Sequence, residues 1–159
     1  MEQEAFKATK CPTCGRAKLT DGTRELSRSF GGRVYTATVP AQVCGRCGES
    51  LVSHQAMGRF EAAVTRALVT DGARDGASLK WLRKSAGLRA EDLASLLGVT
   101  AKTVSRWETG ETPVDRATLH TLGELAVDGG EGRTTTADAL RAMAKPPPKR
   151  PKTVALTVT

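Results

Sequence analysis

Residues 90–110 read AEDLASLLGVTAKTVSRWETG. Leucine and alanine recur at helical spacing over residues 90–97, which predicts an amphipathic helix there. Gly98 permits a sharp turn after that helix, and Thr100 is a preferred N-cap for a second helix over residues 101–109. Two short helices joined in this way form a helix-turn-helix, whose second helix projects and can enter the major groove of DNA.

The second helix of this motif has an apolar side and a polar side. Val104 and Trp107 are spaced to face the core, which leaves hydroxyl and basic side chains outside. Lys and Arg can reach guanine O6 and N7, and Thr and Ser hydroxyls can contact phosphates, as can the N–H groups at a helix start. We therefore predict a DNA-contacting face made of Thr100, Ala101, Lys102, Thr103, Ser105 and Arg106.

Apolar periodicity extends this pattern on both sides. It predicts a helix over residues 79–86, a fourth helix that begins at Pro113 and a fifth helix over residues 137–143. Residues 79–144 are thus expected to form an all-α, five-helix domain that carries the helix-turn-helix.

Charge is distributed unevenly along this predicted domain. Residues 79–106 hold six Lys or Arg and two Asp or Glu, whereas residues 107–128 hold one basic and five acidic residues. A basic half that includes the second helix of the motif favours double-stranded DNA as a partner. The alternative is a plain helical bundle whose charged faces are merely solvated.

The four cysteines lie in two Cys-x-x-Cys-Gly pairs, Cys11 with Cys14 and Cys44 with Cys47. Two residues between the thiols let one tight turn point both sulfurs at one ion, and the glycine after each pair can adopt a positive φ. Four such sulfurs predict a closed tetrahedral site for one structural Zn²⁺ per chain. A redox dithiol is the alternative, but two symmetric pairs favour the metal.

The residues around the cysteines predict a small β module. Residues 33–39 alternate Val and Tyr with Thr, as a strand does, and Pro40 is expected to end that strand or place it at an edge. A helix is predicted over residues 54–69. We therefore expect a mixed fold, in which residues 1–70 form a zinc-ribbon-like module with its helix, and residues 71–78 form a linker to the helical domain.

Length and charge narrow the class of protein further. The chain has 159 residues and a net charge of +7. No apolar run approaches the roughly 20 residues of a membrane helix, and the polar N-terminus lacks a signal-peptide core, so we expect a cytoplasmic, nucleoid-associated protein with no membrane partner. No catalytic set of side chains is evident, so no enzyme activity is expected. Residues 145–159 are expected to form a basic, Pro-rich, disordered tail.

Residues 78–126 resemble the phage-repressor (XRE-type) helix-turn-helix. The resemblance rests on Leu82-Arg83, on the DLA and LGV segments within residues 92–99, and on TVSRWETG at residues 103–110. In that family an Arg of the first helix and a Glu at the end of the third helix form a largely buried ion pair. The resemblance therefore implies a structural pair between Arg83 and Glu108.

The order of the modules resembles the MqsA (YgiT-type zinc finger) antitoxin family over residues 9–145. That resemblance implies a homodimeric transcriptional repressor that reads a palindromic operator of its own operon and binds a ribonuclease-type toxin through the zinc domain. It places the zinc on the four cysteines and base reading on Lys102 and Arg106. Arg89 stands where a small polar residue often precedes the second helix, so an ionic phosphate contact is expected there. The alternatives are a stand-alone transcriptional regulator and, more remotely, a thiol redox protein.

Overall fold

The computed structural model describes residues 10–144, so the predicted tail at residues 145–159 lies outside the described part. Within that part, three strands come first: β1 (Leu19–Phe30), β2 (Arg33–Cys44) and β3 (Ser50–Val52). Six helices follow: α1 (His54–Asp71), α2 (Gly76–Ser85), α3 (Ala90–Leu97), α4 (Ala101–Thr109), α5 (Arg116–Gly130) and α6 (Thr135–Ala144). None of the described helices is long and apolar enough to cross a membrane.

A long hairpin dominates the N-terminal part of the fold. β1 and β2 pair antiparallel without a break, from Leu19 opposite Cys44 to Phe30 opposite Arg33. The two turn residues, Gly31 and Gly32, have φ of 55° and 77°. A two-residue hairpin turn with positive φ at both positions matches the twist of the strands, and glycine adopts that conformation without strain.

β2 continues through Pro40, where the sequence predicted an end or an edge. Along the β1–β2 ladder, hydrogen-bonded residue pairs alternate with non-hydrogen-bonded ones, beginning with a hydrogen-bonded pair next to the turn. By this alternation Pro40 lies in a non-hydrogen-bonded pair, so its nitrogen points away from β1. On that side β3 pairs only with Ala41 to Val43. The missing N–H of Pro40 therefore costs no ladder bond, because β2 has no second neighbour at that position among residues 10–144.

α1 packs between the sheet and the other helices. Ser53 caps its N-terminus by accepting a hydrogen bond from the N–H of Ala56, and Gly72 with φ of 63° ends it. Its buried side joins Leu26 and Val39 of the sheet to the interior of the helical half. One core thus runs through the described residues, and its α1 members are Ala56, Phe60, Val64 and Leu68.

Three helix starts differ from the sequence prediction. α6 begins at Thr135, two residues before the predicted start, and the other two starts are set by aspartate caps. α2 begins at Gly76, inside the predicted linker 71–78, since Asp75 accepts a hydrogen bond from the N–H of Ser78 at 3.0 Å. α5 begins after Asp115, which accepts from the N–H of Thr118 at 2.9 Å. By contrast, α3 and α4 have the predicted bounds. The division of the chain into two domains stays a prediction.

Candidate metal centre and helix-turn-helix surface

The four cysteine sulfurs form one cluster. Each pair of sulfurs lies within 4.8 Å. Cys11 Sγ is 3.6 Å from Cys47 Sγ, and Cys14 Sγ is 3.7 Å from Cys44 Sγ. A tetrahedral zinc ion with Zn–S bonds of about 2.3 Å requires sulfurs separated by roughly 3.8 Å. The donor type and the spacing of the sulfurs therefore fit a four-thiolate metal site.

Local turns point the sulfurs of each pair in one direction. The N–H of Gly15 donates to the carbonyl of Cys11 at 2.8 Å, and the N–H of Gly48 donates to the carbonyl of Cys44 at 3.0 Å. The two glycines have φ of 65° and 73°. The β1–β2 register then brings the turns together, because Leu19 at the start of β1 pairs with Cys44 at the end of β2.

Backbone hydrogen bonds lower the pKa values of the cysteine thiols, whereas neighbouring thiols can raise them. The N–H of Cys47 donates to the sulfur of Cys44 and lowers the pKa of Cys44 to about 6. The N–H of Arg16 likewise lowers the pKa of Cys14. The N–H of Glu49 acts in the same sense on Cys47, but the neighbouring thiols outweigh it and raise the pKa of Cys47 to about 12. Four thiolates at this spacing therefore need a bound cation to balance their charge.

The predicted DNA-contacting residues lie on one helix and its cap. Val104 is buried, while Lys102, Ser105 and Arg106 are exposed. Two of the six residues predicted for the DNA-contacting face, Ala101 and Thr103, are half-buried. Thr100 caps α4, since its hydroxyl accepts from the N–H of Thr103 at 3.2 Å.

Both arginines predicted to contact DNA, Arg106 on α4 and Arg89 before α3, meet a carboxylate. Arg106 Nε lies 3.3 Å from Glu111, which sequence reasoning had not singled out. Helical spacing gives no signal for this pair, because Gly110 turns the chain with φ of 75° before Glu111. Arg89 donates to Asp92 at 3.0 Å and 3.1 Å, within the first turn of α3, and this contact lowers the pKa of Asp92.

Arg83 and Glu108 form a nearly buried ion pair between α2 and α4. Arg83 Nε and Nη2 donate to the two carboxylate oxygens of Glu108 at 2.5 Å and 3.2 Å. The side chains are 11% and 13% exposed. Arg83 Nη1 also donates to the carbonyl of Leu88, in the loop before α3, at 2.7 Å. One guanidinium thus connects α2, the following loop and the end of α4.

A comparison with protein families finds a match for this chain. The family described as "Antitoxin component of bacterial toxin-antitoxin system, MqsA" matches residues 9–127. The matched span contains both cysteine pairs, α1 to α4 and most of α5. A comparison with curated proteins finds no match.

Removal of the metal should unfold the cysteine-bearing sheet. Metal binding of this kind contributes about 10–16 kcal/mol, and the sheet has few buried apolar residues of its own. After treatment with a strong chelator, hydrogen exchange should show lost protection over residues 10–52 and retained protection in α3 to α5. A colorimetric assay should detect one zinc ion released per chain. Cys44→Ser should lack this zinc, whereas Thr13→Ser, an exposed change inside the first pair, should retain it. Unchanged circular dichroism with no zinc released would contradict the metal site.

Loss of one partner of the Arg83–Glu108 pair should destabilise the helical half. Arg83→Ala strands a buried carboxylate, which typically costs about 3–5 kcal/mol. Urea denaturation should show this loss in the free energy of unfolding, and the double change Arg83→Met with Glu108→Leu should recover much of it. Arg59→Ala, an exposed change on α1, is the control and should stay within about 0.5 kcal/mol of the wild type. An Arg83→Ala protein as stable as this control would contradict a structural role of the pair.

Proposed function

The chain belongs to the MqsA antitoxin family, and from this membership we propose that it is the antitoxin of a type II toxin–antitoxin pair that represses its own operon. One observation carries the proposal: a single family match covers both the clustered cysteines and the α3–α4 segment. The proposal assigns DNA binding to the helix-turn-helix and toxin binding to the zinc-bearing sheet with α1. It includes no catalytic step.

The metal of the cysteine cluster is proposed to be one structural Zn²⁺ per chain. The ligands are Cys11, Cys14, Cys44 and Cys47. Because four thiolates close the tetrahedron, no coordination position remains for water or substrate, so the ion supports folding rather than catalysis. The ion with its four thiolates carries a net charge of −2. Basic residues next to the ligands in sequence offset that charge: Lys10, Arg16, Lys18 and Arg46.

DNA recognition is proposed to use α4 as the recognition helix of an XRE-type domain. Lys102 and Arg106 lie on its exposed side one helical turn apart, where they can donate to base edges in the major groove. Thr100, Thr103 and Ser105 are proposed to contact phosphates, together with the free N–H groups at the start of α4. A homodimer with two such helices reads a palindromic operator.

The ion pairs of the free protein impose little cost on this binding. Arg106 is 45% exposed and Glu111 is 63% exposed. An exposed pair is worth only about 0–1 kcal/mol, so Arg106 can leave Glu111 for a guanine. Arg89 is 76% exposed, and its bond to Asp92 can likewise yield to a phosphate.

The proposed toxin partner can be tested by purification from the native host. The tagged protein, expressed at its native level, should bring down a small ribonuclease-type protein in equal amount, identified by mass spectrometry. A matched protein with Arg106→Ala should still recover this partner, because α4 is not assigned to the toxin. Recovery of operator DNA without any protein partner would instead indicate a stand-alone transcriptional regulator. Recovery of neither would contradict both functions.

Arg106→Ala should weaken binding to the operator and relax its sequence preference. The loss of a bidentate contact to guanine costs about 1–3 kcal/mol at one base position of each half-site. Electrophoretic mobility shifts with an operator and its single-base variants measure this effect. Arg59→Ala, on the exposed side of α1, is the charge-matched control. If Arg106→Ala binds the operator like this control, the recognition surface does not lie on this face of α4.

A further inference from the structure

The tip of the β1–β2 hairpin contacts the helical half through aromatic side chains. The ring of Phe30 lies 5.3 Å from that of Trp81 on α2, with an edge-to-face angle of 62°. The guanidinium of Arg28 lies 5.9 Å from the ring centres of both Trp81 and Phe60. Aromatic pairs in this geometry are stabilised beyond the burial of their area, and a cation over a ring adds to that stabilisation. Aromatic and cation–π contacts therefore bind the hairpin tip to α1 and α2.

Polar contacts hold the same tip from the other side. Arg33 Nη1 lies 2.8 Å from the carboxylate of Asp71, at the end of α1, and the hydroxyl of Tyr35 donates to that carboxylate at 2.9 Å. At the turn itself, a Cβ added to Gly31 would lie 3.0 Å from the carboxylate of Asp75. Asp75 is the N-cap of α2, so the hairpin turn rests against the point where that helix begins.

Trp81 connects the tip to the interior of the helices. Its Nε1 donates to the hydroxyl of Thr65 on α1 at 3.1 Å, which in turn lies 3.1 Å from the hydroxyl of Ser85. Two residues after Trp81, Arg83 reaches from α2 to Glu108 at the end of α4. α2 thus carries both Trp81, which contacts the hairpin tip, and Arg83, which reaches the proposed recognition helix.

The opposite end of the same hairpin carries the cysteine cluster. Twelve consecutive residue pairs join Leu19–Cys44 at that end to Phe30–Arg33 at the tip. At about 3.4 Å per residue, each strand spans roughly 37 Å between the two ends. The ladder has no break, so the metal centre and the tip lie at the two ends of one continuous hairpin.

We propose that the hairpin tip, residues 28–35, is a latch that holds α2 in place and makes its order depend on the metal centre. This coupling rests on the proposed zinc site, whereas the latch contact itself does not. When the sheet is intact, the tip packs on Trp81 and the start of α2. When the sheet loses its metal, the tip leaves, and α2 loses protection although α5 stays folded.

The latch contact is tested first in the metal-loaded, full-length protein. The variants are Phe30→Ala with Arg28→Ala, which removes the aromatic contacts, and Asp71→Asn, a milder change that weakens the polar contacts alone. Val34→Ala is the matched control, because Val34 lies in the same tip but is 64% exposed. Hydrogen exchange over residues 76–85 and acrylamide quenching of Trp81 are the readouts, with Trp81→Phe to assign the fluorescence. Protection of α5 shows whether each variant is folded.

The latch predicts faster exchange in α2 and stronger quenching of Trp81 in the double variant, a smaller change of the same sign in Asp71→Asn, and none in the control. If α2 exchanges equally in all four proteins, the latch is overturned. Should the double variant fail to fold, Asp71→Asn against Val34→Ala decides the question.

The coupling is tested next by chelation, with the released metal measured in the same sample. In the wild type, chelation should expose Trp81 and accelerate exchange in α2, while in the folded latch variants it should add little. Released zinc with an unchanged Trp81 would overturn the coupling. If no zinc is released, the metal proposal fails, and with it the coupling, while the latch contact is judged from the variants alone.

Discussion

The ion pair between Arg83 and Glu108 sets the geometry on which the helix-turn-helix depends. Both groups are nearly buried, so each must meet the other in one arrangement or bear the cost of desolvation. That requirement fixes how α2 lies against the end of α4. Glu108 also constrains α2 through its backbone, because a Cβ at Gly76 would collide with the Glu108 carbonyl. The side chain and the main chain of one residue thus hold both ends of α2.

The two parts of the fold are stabilised by different means. The helical half buries leucine and alanine from several helices in one cluster, as an ordinary globular domain does. The sheet consists mainly of the β1–β2 hairpin, and few of its side chains are buried. Leu26, Val39 and Ala41 are among those that are. A three-stranded sheet with so little apolar burial is marginal in water. The cysteine cluster and α1 supply what the sheet lacks, the first through its proposed metal and the second through Phe60 and Val64.

The sequence predicts those elements whose signals are local. α3 and α4 have their predicted bounds because Gly98, Thr100 and Gly110 act on adjacent residues. The close approach of the four sulfurs also follows from local turns, once the pairing of β1 with β2 is in place. β1 was not predicted, because it is mostly polar: its inward positions Leu26 and Phe30 are apolar, but the residues between and around them are largely charged or hydroxylated. The partners of Arg28, Arg33 and Arg106 could not be foreseen, since they depend on which segments the tertiary fold brings together.

The continuity of the core has a consequence for how the two proposed binding surfaces can influence each other. If only a linker joined the sheet to the helices, a partner bound to the sheet could affect binding at the helices only through steric overlap or through a raised local concentration. Here α1 belongs to the core of both, and the tip of the hairpin rests on α2. A partner that binds the sheet more tightly in one position of the hairpin would therefore also shift the stability of α2. If α4 binds DNA as proposed, DNA would by linkage shift the affinity for that partner. The magnitude of this effect is limited by the contacts at the tip, since no more free energy can be transmitted than the tip loses when it separates from α2.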